Sequence, residues 1–399
     1  MDITHADLPN DMQAAIAKHT GEIEAHLIEV RRDLHAHPEL AFEEVRTAGV
    51  VARELERMGI THETGIAKTG VVGIIQGGRP GPVLAIRADM DALPIEERTG
   101  LPWASTKPGL MHACGHDIHT TTLLGVAEVL HKIAPSLAGT VKLIFQPAEE
   151  AIGGAERMIA EGVLDNPKVD MAIGFHNYPH IPVGEFSFCH GPALAAADLF
   201  KLVVHGKSGH AAHPYAAVDP IVASASLIMQ LQTVVSREVR PLHPAVVTVG
   251  AINGGIASNI IPDSVTIKGT VRTLHADAQD VAEDAIRRLC KGIELSMRVK
   301  IDVDYQRGVP ALLNDDRVLE PVVDAVRKQL GPVIHQKEPS MGAEDFALMS
   351  QKVPAFQLGI GSGAPGRDDR LHNSGYAPDE ACIGLGVQAL ARAAVEILA

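Results

Sequence analysis

The feature that most constrains the fold of this chain is a set of short apolar runs, each ending in polar residues. The runs are VVGIIQ at 71–76, VLAIRADMD at 83–91, VKLIF at 141–145 and MAIGFHNYP at 171–179. They are nearly continuous in apolar residues, as strands buried on both faces of a parallel sheet are. Helical patterns separate them, which predicts an α/β fold. Open α/β sheets place their sites at the carboxyl ends of strands, so the polar residues there are the first candidates for function.

A helix is predicted near the beginning of the chain. Its apolar positions are Ile16, Ile23, Leu27, Val30 and Leu34. Their spacings of seven, four, three and four lay an apolar stripe along one helix face. We expect this helix to end near His37, because the residue before a proline is disfavoured in the helical conformation. A second helix is expected to end near Met58.

The pattern changes at about residue 187. Segment 187–303 is predicted to contain strand, helix, strand, strand, helix and strand, the order of the ferredoxin-like unit. Residues 304–399 return to alternating helix and strand but hold too few strands for a sheet of their own. We therefore expect 1–186 and 304–399 to form one larger α/β domain, into which the ferredoxin-like domain is inserted as a lid.

Composition narrows the class of protein. The 399 residues are 46% hydrophobic, which is enough to bury a core, and the formal net charge of −14 argues against a nucleic-acid surface. No apolar run approaches the roughly 18 residues of a membrane span. The opening segment, residues 1–13, lacks the pattern of a signal peptide, so a cytoplasmic location is expected. The four cysteines are too scattered for a disulfide framework, which leaves Cys114 free to bind a metal.

The segment MHACGHDIHT, residues 111–120, places a thiol, three imidazoles and a carboxylate ahead of a predicted helix. Cys114 and His116 stand two residues apart, so in a loop at a strand end both can turn toward one point. Thiolate and imidazole are ligands that zinc-like ions favour. On these residues alone two interpretations stay open, a metal site and a structural role with Cys114 simply buried.

Glu149 and Glu150 follow the strand VKLIF in the sequence QPAEE. Because neighbouring side chains leave the backbone in different directions, one carboxylate can bind a metal while the other transfers a proton. An acidic helix start, stabilised by the helix dipole, is the simpler interpretation of the pair taken alone.

Spacing does not distinguish the remaining candidates. His176 in GFHNYP, placed at the end of its predicted strand, and His372 in LHNSGY have the character of ordinary polar residues. His210 lies between turn-forming residues in HGKSGHAAHP. Arg272 is predicted on the polar face of the strand SVTIKGTVRT, where it can bind a carboxylate or face water.

Eight segments taken together resemble one family. They are RRDLHAHPELAFEE, RADMDALPIEE, MHACGHDIHTTTLLG, QPAEEAIGGA, GFHNYP, GKSGHAAHP, ASNIIPD and LHNSGY. In this order they are similar to the M20 metallopeptidase family, from about residue 22 to the C-terminus. Within that family they resemble the amidohydrolase branch of hippurate hydrolases, N-acyl-amino-acid amidohydrolases and auxin-conjugate hydrolases. The resemblance implies a dinuclear metal site in the larger domain and a ferredoxin-like domain that serves as lid and dimerisation module.

The resemblance also implies the metal ligands. Cys114 would bridge two divalent ions, either zinc or manganese. His116 and His176 would complete the ligands of one ion, and Glu150 and His372 those of the other.

Two aspartates are placed by the same resemblance. The wider family has a bridging aspartate, and a ligand histidine where Asp89 stands here; the Cys-x-His pair is expected to replace both. Asp91 would support the ligands from behind without binding a metal itself.

The catalytic roles are likewise implied by the resemblance. Glu149 would be the general base, and His210 would stabilise the oxyanion from the lid of a partner subunit. Asn259 and Arg272 would bind the α-carboxylate of the substrate, on strands expected to converge only in a closed lid. The expected assembly is a homodimer, or a homotetramer, formed through the lid, with no nucleic-acid or membrane partner.

The expected reaction is hydrolysis of the amide bond of an N-acyl-amino acid, such as a hippurate-like or N-acetyl substrate. A dipeptidase and an N-acetyl-diaminopimelate-type deacetylase would use the same site. Two further alternatives remain at this level. One is catalysis by Cys114 as a nucleophile with His116 as its base, and the other is a catalytically silent binding protein.

Overall fold

The computed structural model describes residues 10–151, 153–367 and 369–398. The opening segment judged for a signal peptide therefore lies mostly outside the described residues. The helices are α1 (Asn10–Ala36), α2 (Val45–Met58), α3 (His116–Ile133), α4 (Gly154–Ala160), α5 (Pro220–Thr233), α6 (Ala276–Met297), α7 (Asp316–Leu330), α8 (Ala347–Ser350) and α9 (Ala381–Ile397). The strands are β1 (Thr61–Ile66), β2 (Gly70–Gln76), β3 (Arg79–Asp89), β4 (Ala138–Gln146), β5 (Met171–Pro182), β6 (Phe186–Phe188), β7 (Gly191–Leu194), β8 (Ala196–His205), β9 (Gly209–His210), β10 (Ala245–Gly254), β11 (Ile260–Ile261), β12 (Ser264–Thr273), β13 (Lys300–Arg307), β14 (Leu312–Asn314), β15 (Ile334–Gln336) and β16 (Ala355–Gly363).

Eight strands form the larger sheet, in the order β1-β2-β4-β3-β5-β16-β6-β15. The central strands β4, β3, β5 and β16 are parallel to one another, as predicted for runs of this kind. The prediction is wrong for β2, which pairs antiparallel with both β1 and β4. Only residues 67–69 join β1 to β2. Such a short connection cannot make the crossover that parallel strands need, although β2 is buried as fully as they are.

The helices that cover this sheet follow the predicted patterns. All five stripe residues of α1 are at most 8% exposed, and the helix ends at Ala36, next to the predicted boundary. Helix α3 begins at His116, inside the segment MHACGHDIHT, and almost every residue along it is buried. The sequence motif is therefore the start of a central helix. Among the helices of the described ranges, none is long and apolar enough to cross a membrane.

The chain divides into two compact units, Met1–Gly191 with Leu313–Glu338 and Leu348–Ala399, and Pro192–Leu312 with Pro339–Ala347. The second unit is longer than the expected segment 187–303 and gains a separate piece of chain. That piece is attached by backbone hydrogen bonds from Ser340 N to Ala193 O (2.9 Å) and from Ala195 N to Gly342 O (2.8 Å).

The second unit contains the ferredoxin-like fold. Its antiparallel sheet has the order β10-β12-β8-β13 and carries α5 and α6 on an apolar core. Strand β12 alternates buried and more exposed residues along its length, as predicted for SVTIKGTVRT. The predicted fold class is confirmed, an α/β domain with an inserted ferredoxin-like domain.

Candidate metal centre

Several candidate metal-site residues lie at or just beyond the carboxyl ends of strands in the larger sheet. Strand β3 ends at Asp89 and β4 at Gln146, and the segment with Glu149 and Glu150 follows at once. The expectation that His176 ends its strand is wrong, because β5 continues to Pro182. His176 lies opposite Gly359 of β16, and the pairing of β5 with β3 ends two residues earlier, at Gly174.

A sharp turn presents the two ligands of the Cys-x-His pair. Gly115, between them, has a φ of +87°, in the left-handed region that residues with a Cβ rarely adopt. A Cβ at this position would lie 2.1 Å from Asn177 Oδ1 and 2.8 Å from the Tyr376 hydroxyl oxygen. Both backbone conformation and close packing therefore require glycine here.

Cys114, His116 and His176 form one group, in which the possible ligand atoms all lie within 4.8 Å of one another. Cys114 Sγ is 3.5 Å from His176 Nε2. The other ring nitrogen of His176 donates to the backbone oxygen of Asn177 at 2.7 Å, which leaves the Nε2 lone pair facing the thiol. Burial lowers the pKa of His176 well below its usual value, so the ring is neutral, as a metal ligand must be.

A second group shares the same cysteine. Cys114, Glu150 and His372 again have their ligand atoms within 4.8 Å of one another, and His372 Nε2 lies 3.2 Å from Glu150 Oε1. His372 has a φ of 58°, and its backbone N–H donates to Ala113 O at 2.8 Å. This hydrogen bond joins a loop near the C-terminus to the turn that carries Cys114.

Asp91 connects the two groups from behind. Its carboxylate accepts hydrogen bonds from the backbone N–H groups of Glu149 and Glu150, both at 3.0 Å. It also lies 3.3 Å from His116 Nδ1, which turns the opposite ring nitrogen, Nε2, toward Glu150. One carboxylate thus orients a candidate ligand and the backbone of both glutamates, the arrangement expected of a residue that supports metal ligands.

Asp89 and His119 are occupied by other partners. Arg87 donates to the Asp89 carboxylate at 2.7 Å, and His119 Nδ1 donates to it at 2.6 Å. The other nitrogen of His119 accepts from the backbone N–H of Asn177 at 3.0 Å. Both nitrogens of His119 are therefore used, which separates this pair from the candidate ligands although it lies beside His116.

The residues that are present fit a metal. His116 Nε2 is buried and has no hydrogen-bond partner among the described residues, and it lies 4.0 Å from Glu150 Oε1. A buried imidazole nitrogen without a partner is costly, whereas a cation would satisfy it. Thiolate, imidazole and carboxylate together are the donor types of zinc and related transition-metal sites.

The electrostatics of Cys114 bear on the nucleophile alternative. Burial raises the pKa of its thiol well above the usual value, against the opposing effect of His116, and the carboxylates of Glu150 and Glu149 act with burial. A catalytic cysteine needs surroundings that stabilise the thiolate. Here burial outweighs the stabilising effect of His116, so the thiol stays protonated without a further cation, which favours the ligand role.

A buried ionic network holds the start of α3. Asp117 lies 2.9 Å from Arg31 Nε and 2.8 Å from His35 Nδ1, and all three side chains are buried. Although burial opposes it, the Arg31 guanidinium and then His35 hold the pKa of Asp117 well below its usual range. This network connects α1 to the residue that follows His116.

The remaining predicted residues belong to the ferredoxin-like unit. His210 is exposed, and the backbone oxygen of Asn259 accepts from Ala211 N at 3.0 Å, so these segments are adjacent. Ser264, at the start of β12, pairs with His205 at the end of β8. Arg272 lies eight residues further along β12. At about 3.3 Å per residue, that separation is about 26 Å. Asn259 immediately precedes β11, which pairs with β9 in a separate two-stranded sheet, whereas Arg272 lies near the end of β12 in the four-stranded sheet.

Asn177 and Tyr376 also shape the site, and they were given no role from the sequence. Asn177 donates to the Tyr376 hydroxyl oxygen and, at 3.1 Å, to Ser362 Oγ. Both residues stand inside recognised segments, GFHNYP and LHNSGY, which was the available signal. Their contacts with Gly115 join elements about 60 and 260 residues away along the chain, and no local pattern reports them.

Comparisons with known proteins agree with this geometry. The model of peptidase family M20/M25/M40 matches residues 85–396. The N-acetyl-L-cysteine deacetylase of Bacillus subtilis is 43% identical over 361 residues, which cover 90% of this chain and 85% of that protein. The hippurate hydrolase of Campylobacter jejuni is 36% identical over 379 residues, covering 94% and 98%.

A solved structure extends the likeness to the whole fold. The YXEP protein of Bacillus subtilis, a dinuclear metal binding peptidase from the M20 family, superposes with a TM-score of 0.85 and 37% identity, covering 95% of this chain and 99% of that one. The chain therefore belongs to peptidase family M20/M25/M40, in its amidohydrolase branch, and is a metal-dependent hydrolase of amide bonds.

Proposed function

We propose that this enzyme hydrolyses N-acyl-amino acids to a carboxylic acid and a free amino acid, using two divalent metal ions. The observation that carries the proposal is that two groups of candidate ligands share Cys114 and lie beside Glu149. A carboxylate oxygen of Glu149 is within 4.8 Å of ligand atoms of both His116 and Glu150. The deacetylase and hippurate hydrolase relatives act, by their names, on amides of this kind.

Each candidate ligand has a separate task in this proposal. Cys114, His116 and His176 would hold one ion, and Cys114, Glu150 and His372 would hold the other. When bound, the ions would supply Lewis acidity, which acidifies a water and polarises a carbonyl. Zinc or manganese is proposed, with the thiolate favouring zinc.

Glu149 acts as the general base. Its backbone N–H donates to Asp91, which fixes this part of the chain beside the ligand groups. Glu149 removes a proton from the attacking water and later delivers that proton to the departing nitrogen. The amide bond breaks only after the nitrogen can leave as a neutral amine.

The lid residues complete the site from two chains. His210 of one subunit donates a hydrogen bond to the carbonyl oxygen as charge develops there in the other subunit. Asn259 is adjacent to His210 and accompanies it, whereas Arg272 lies at the far end of β12. Asn259 and Arg272 are proposed to bind the α-carboxylate of the substrate when the lid is closed.

A surface on the ferredoxin-like unit supports a dimer. Helix α5 exposes Val222 and Met229, and the edge strand β10 exposes Val246 and Ile252. An open edge strand beside apolar side chains invites pairing with another chain. The proposed occupant is a second copy of this protein, and a homotetramer is the alternative assembly.

The test is hydrolysis of a substrate panel by metal-loaded and metal-free protein. Benzoylglycine, N-acetyl-amino acids and free dipeptides are compared, with metal content measured by mass spectrometry. We expect hydrolysis of the acylated amino acids, loss on chelation and recovery with added zinc or manganese. A clear preference for free dipeptides would assign the dipeptidase alternative and contradict the proposal.

Variants separate the roles of the residues in this panel. Glu149→Gln should keep its metal while kcat falls by at least about 100-fold. Cys114→Ser should lose metal, whereas Cys290→Ser, at a buried cysteine of the ferredoxin-like unit, should not. Activity that survived chelation but not thiol alkylation would instead establish Cys114 as a nucleophile.

A further inference from the structure

A lysine near the metal centre forms no ion pair with another described residue. Lys337 follows β15 at the edge of the larger sheet, and its backbone N–H donates to Phe188 O at 2.8 Å. Its side chain is only partly exposed. No carboxylate among the described residues lies within ion-pair distance of its ammonium group, although Glu338 is the next residue.

The ammonium group lies instead on an aromatic ring. Lys337 Nζ is 3.7 Å from the centre of the Tyr178 ring, within the range of a cation–π contact. Tyr178 is two residues beyond His176 on β5, so both side chains leave the same face of the strand. The two rings stack with centres 5.2 Å apart and planes 29° apart. The Lys337 ammonium group thus contacts the Tyr178 ring, which in turn stacks on His176, a candidate metal ligand.

The neighbouring strand is shaped to let Tyr178 lie there. A Cβ at Gly359 of β16 would be 2.1 Å from Ser187 Oγ and 3.1 Å from Tyr178 Cδ2. The glycine therefore leaves room for the Tyr178 ring beside β16.

The groups around Lys337 leave its charge unneutralised. Burial lowers the pKa of Lys337 to about 8, with a smaller opposing effect of Cys189. Burial also raises the pKa of the Cys189 thiol, so that group carries no negative charge near neutral pH. Burial, and to a smaller extent the Lys337 charge, lowers the pKa of His180. The His180 ring also packs against Tyr178, with the ring centres 5.4 Å apart.

We infer that Lys337, positioned on Tyr178, is a subsite for a carboxylate of the substrate next to the metal centre. A desolvated cation without an anionic partner is costly in the free protein, and a bound carboxylate offsets that cost. The carboxylate can be the α-carboxylate of the amino acid or a second one on the acyl group or side chain. The inference rests on the proposed function, since it names a feature of the substrate cleaved at that site.

The experiment uses substrate pairs that differ by one carboxylate. N-acetylalanine is compared with N-acetylalaninamide, N-succinylalanine with N-butyrylalanine, and N-acetylglutamate with N-acetylglutamine. For each pair, the ratio of kcat/KM for the charged member to that for the neutral one is measured in wild type, Lys337→Met, Lys337→Arg and Lys352→Met. Lys352 is an exposed lysine of the same unit, so its variant controls for net charge.

In at least one pair, Lys337→Met should lower this ratio by about 10- to 100-fold, mainly through KM. Lys337→Arg should retain most of the preference, and Lys352→Met should leave it unchanged. The pair that responds identifies which carboxylate binds. Ratios unchanged in all three pairs would overturn the inference while leaving the proposed function intact.

A binding measurement keeps the two proposals distinguishable. If metal-loaded wild type cleaves no member of the panel, the proposed function fails, and glutarate is then titrated calorimetrically into the same variants. Binding weakened by Lys337→Met but not by Lys352→Met would sustain the carboxylate subsite. Equal binding by all variants would overturn it.

Discussion

At the scale of single residues, the metal centre depends on side chains that never touch the metal. Asp91 holds His116 and both glutamate backbones, while the Asn177 carbonyl sets which nitrogen of His176 faces Cys114. Recognised motifs contained these residues, but their partners are distant in sequence. The sequence could therefore indicate the ligand types and could not reveal the hydrogen bonds that orient them.

Gly115→Ala tests the turn between the two ligands of the Cys-x-His pair. The added Cβ meets Asn177 and Tyr376 and strains a left-handed backbone, so we expect a destabilisation on the order of 2–4 kcal/mol together with lower metal occupancy. Thermal unfolding and metal analysis measure the two effects.

Gly100→Ala is the matched control for this turn. Gly100 has a φ of +71°, but a Cβ there meets nothing within 4 Å. Its substitution should cost only about 1 kcal/mol and leave the metal in place. Similar losses of stability and full metal occupancy in both variants would show that the close packing around Gly115 is unimportant.

At the scale of elements, the site depends on how α3 begins. The helix starts within the motif and is buried on all sides, with Asp117 tied to α1 and the neighbouring His112 enclosed. Periodicity predicted α1 and β12 well, because each has one buried face. It gave the wrong direction for β2 and the wrong end for β5, since strand direction and length depend on partners elsewhere in the chain.

His112 makes the metal-free protein sensitive to acid. Burial lowers its pKa to about 4, and neither ring nitrogen has a hydrogen-bond partner in the described part of the chain. In the unfolded chain His112 binds a proton below about pH 6.5, whereas in the folded protein it stays neutral until the pH falls to about 4. The free energy of unfolding should therefore fall by roughly 3 kcal/mol as the pH drops through this window.

Urea unfolding of wild type and His112→Phe between pH 7 and 4 measures this contribution. Both proteins are studied without metal, and the difference between their profiles isolates the histidine. We expect the variant to lose less stability on acidification. Parallel profiles would mean that His112 is protonated in the folded protein at the same pH as in the unfolded chain.

At the scale of the whole molecule, the proposed site needs two chains. His210 and Asn259 lie together, and Arg272 lies near the far end of β12, eight residues from Ser264. The apolar side chains exposed on α5 and β10 offer the surface through which two copies would meet. A cytoplasmic location remains a prediction.

Mixing two inactive variants tests this arrangement. His210→Ala and Glu149→Gln are each expected to be inactive as homodimers, but a mixed dimer holds one site with both groups intact. After subunit exchange, random pairing should restore about a quarter of wild-type activity in a two-fold symmetric dimer. No recovery in a mixture shown by mass spectrometry to contain mixed dimers would place His210 and Glu149 in the same chain's site.

The sequence by itself determined the fold class, the family and the kinds of ligand. The periodic spacing of apolar residues and the short motifs are local properties, so they can be read directly from the order of residues. Only the tertiary structure decided which side chains meet. It brought Cys114, Glu150 and His372 together, and it placed Lys337 on Tyr178 beside His176. These outcomes depend on strand register and on where neighbouring strands end, and both are fixed by contacts between segments hundreds of residues apart.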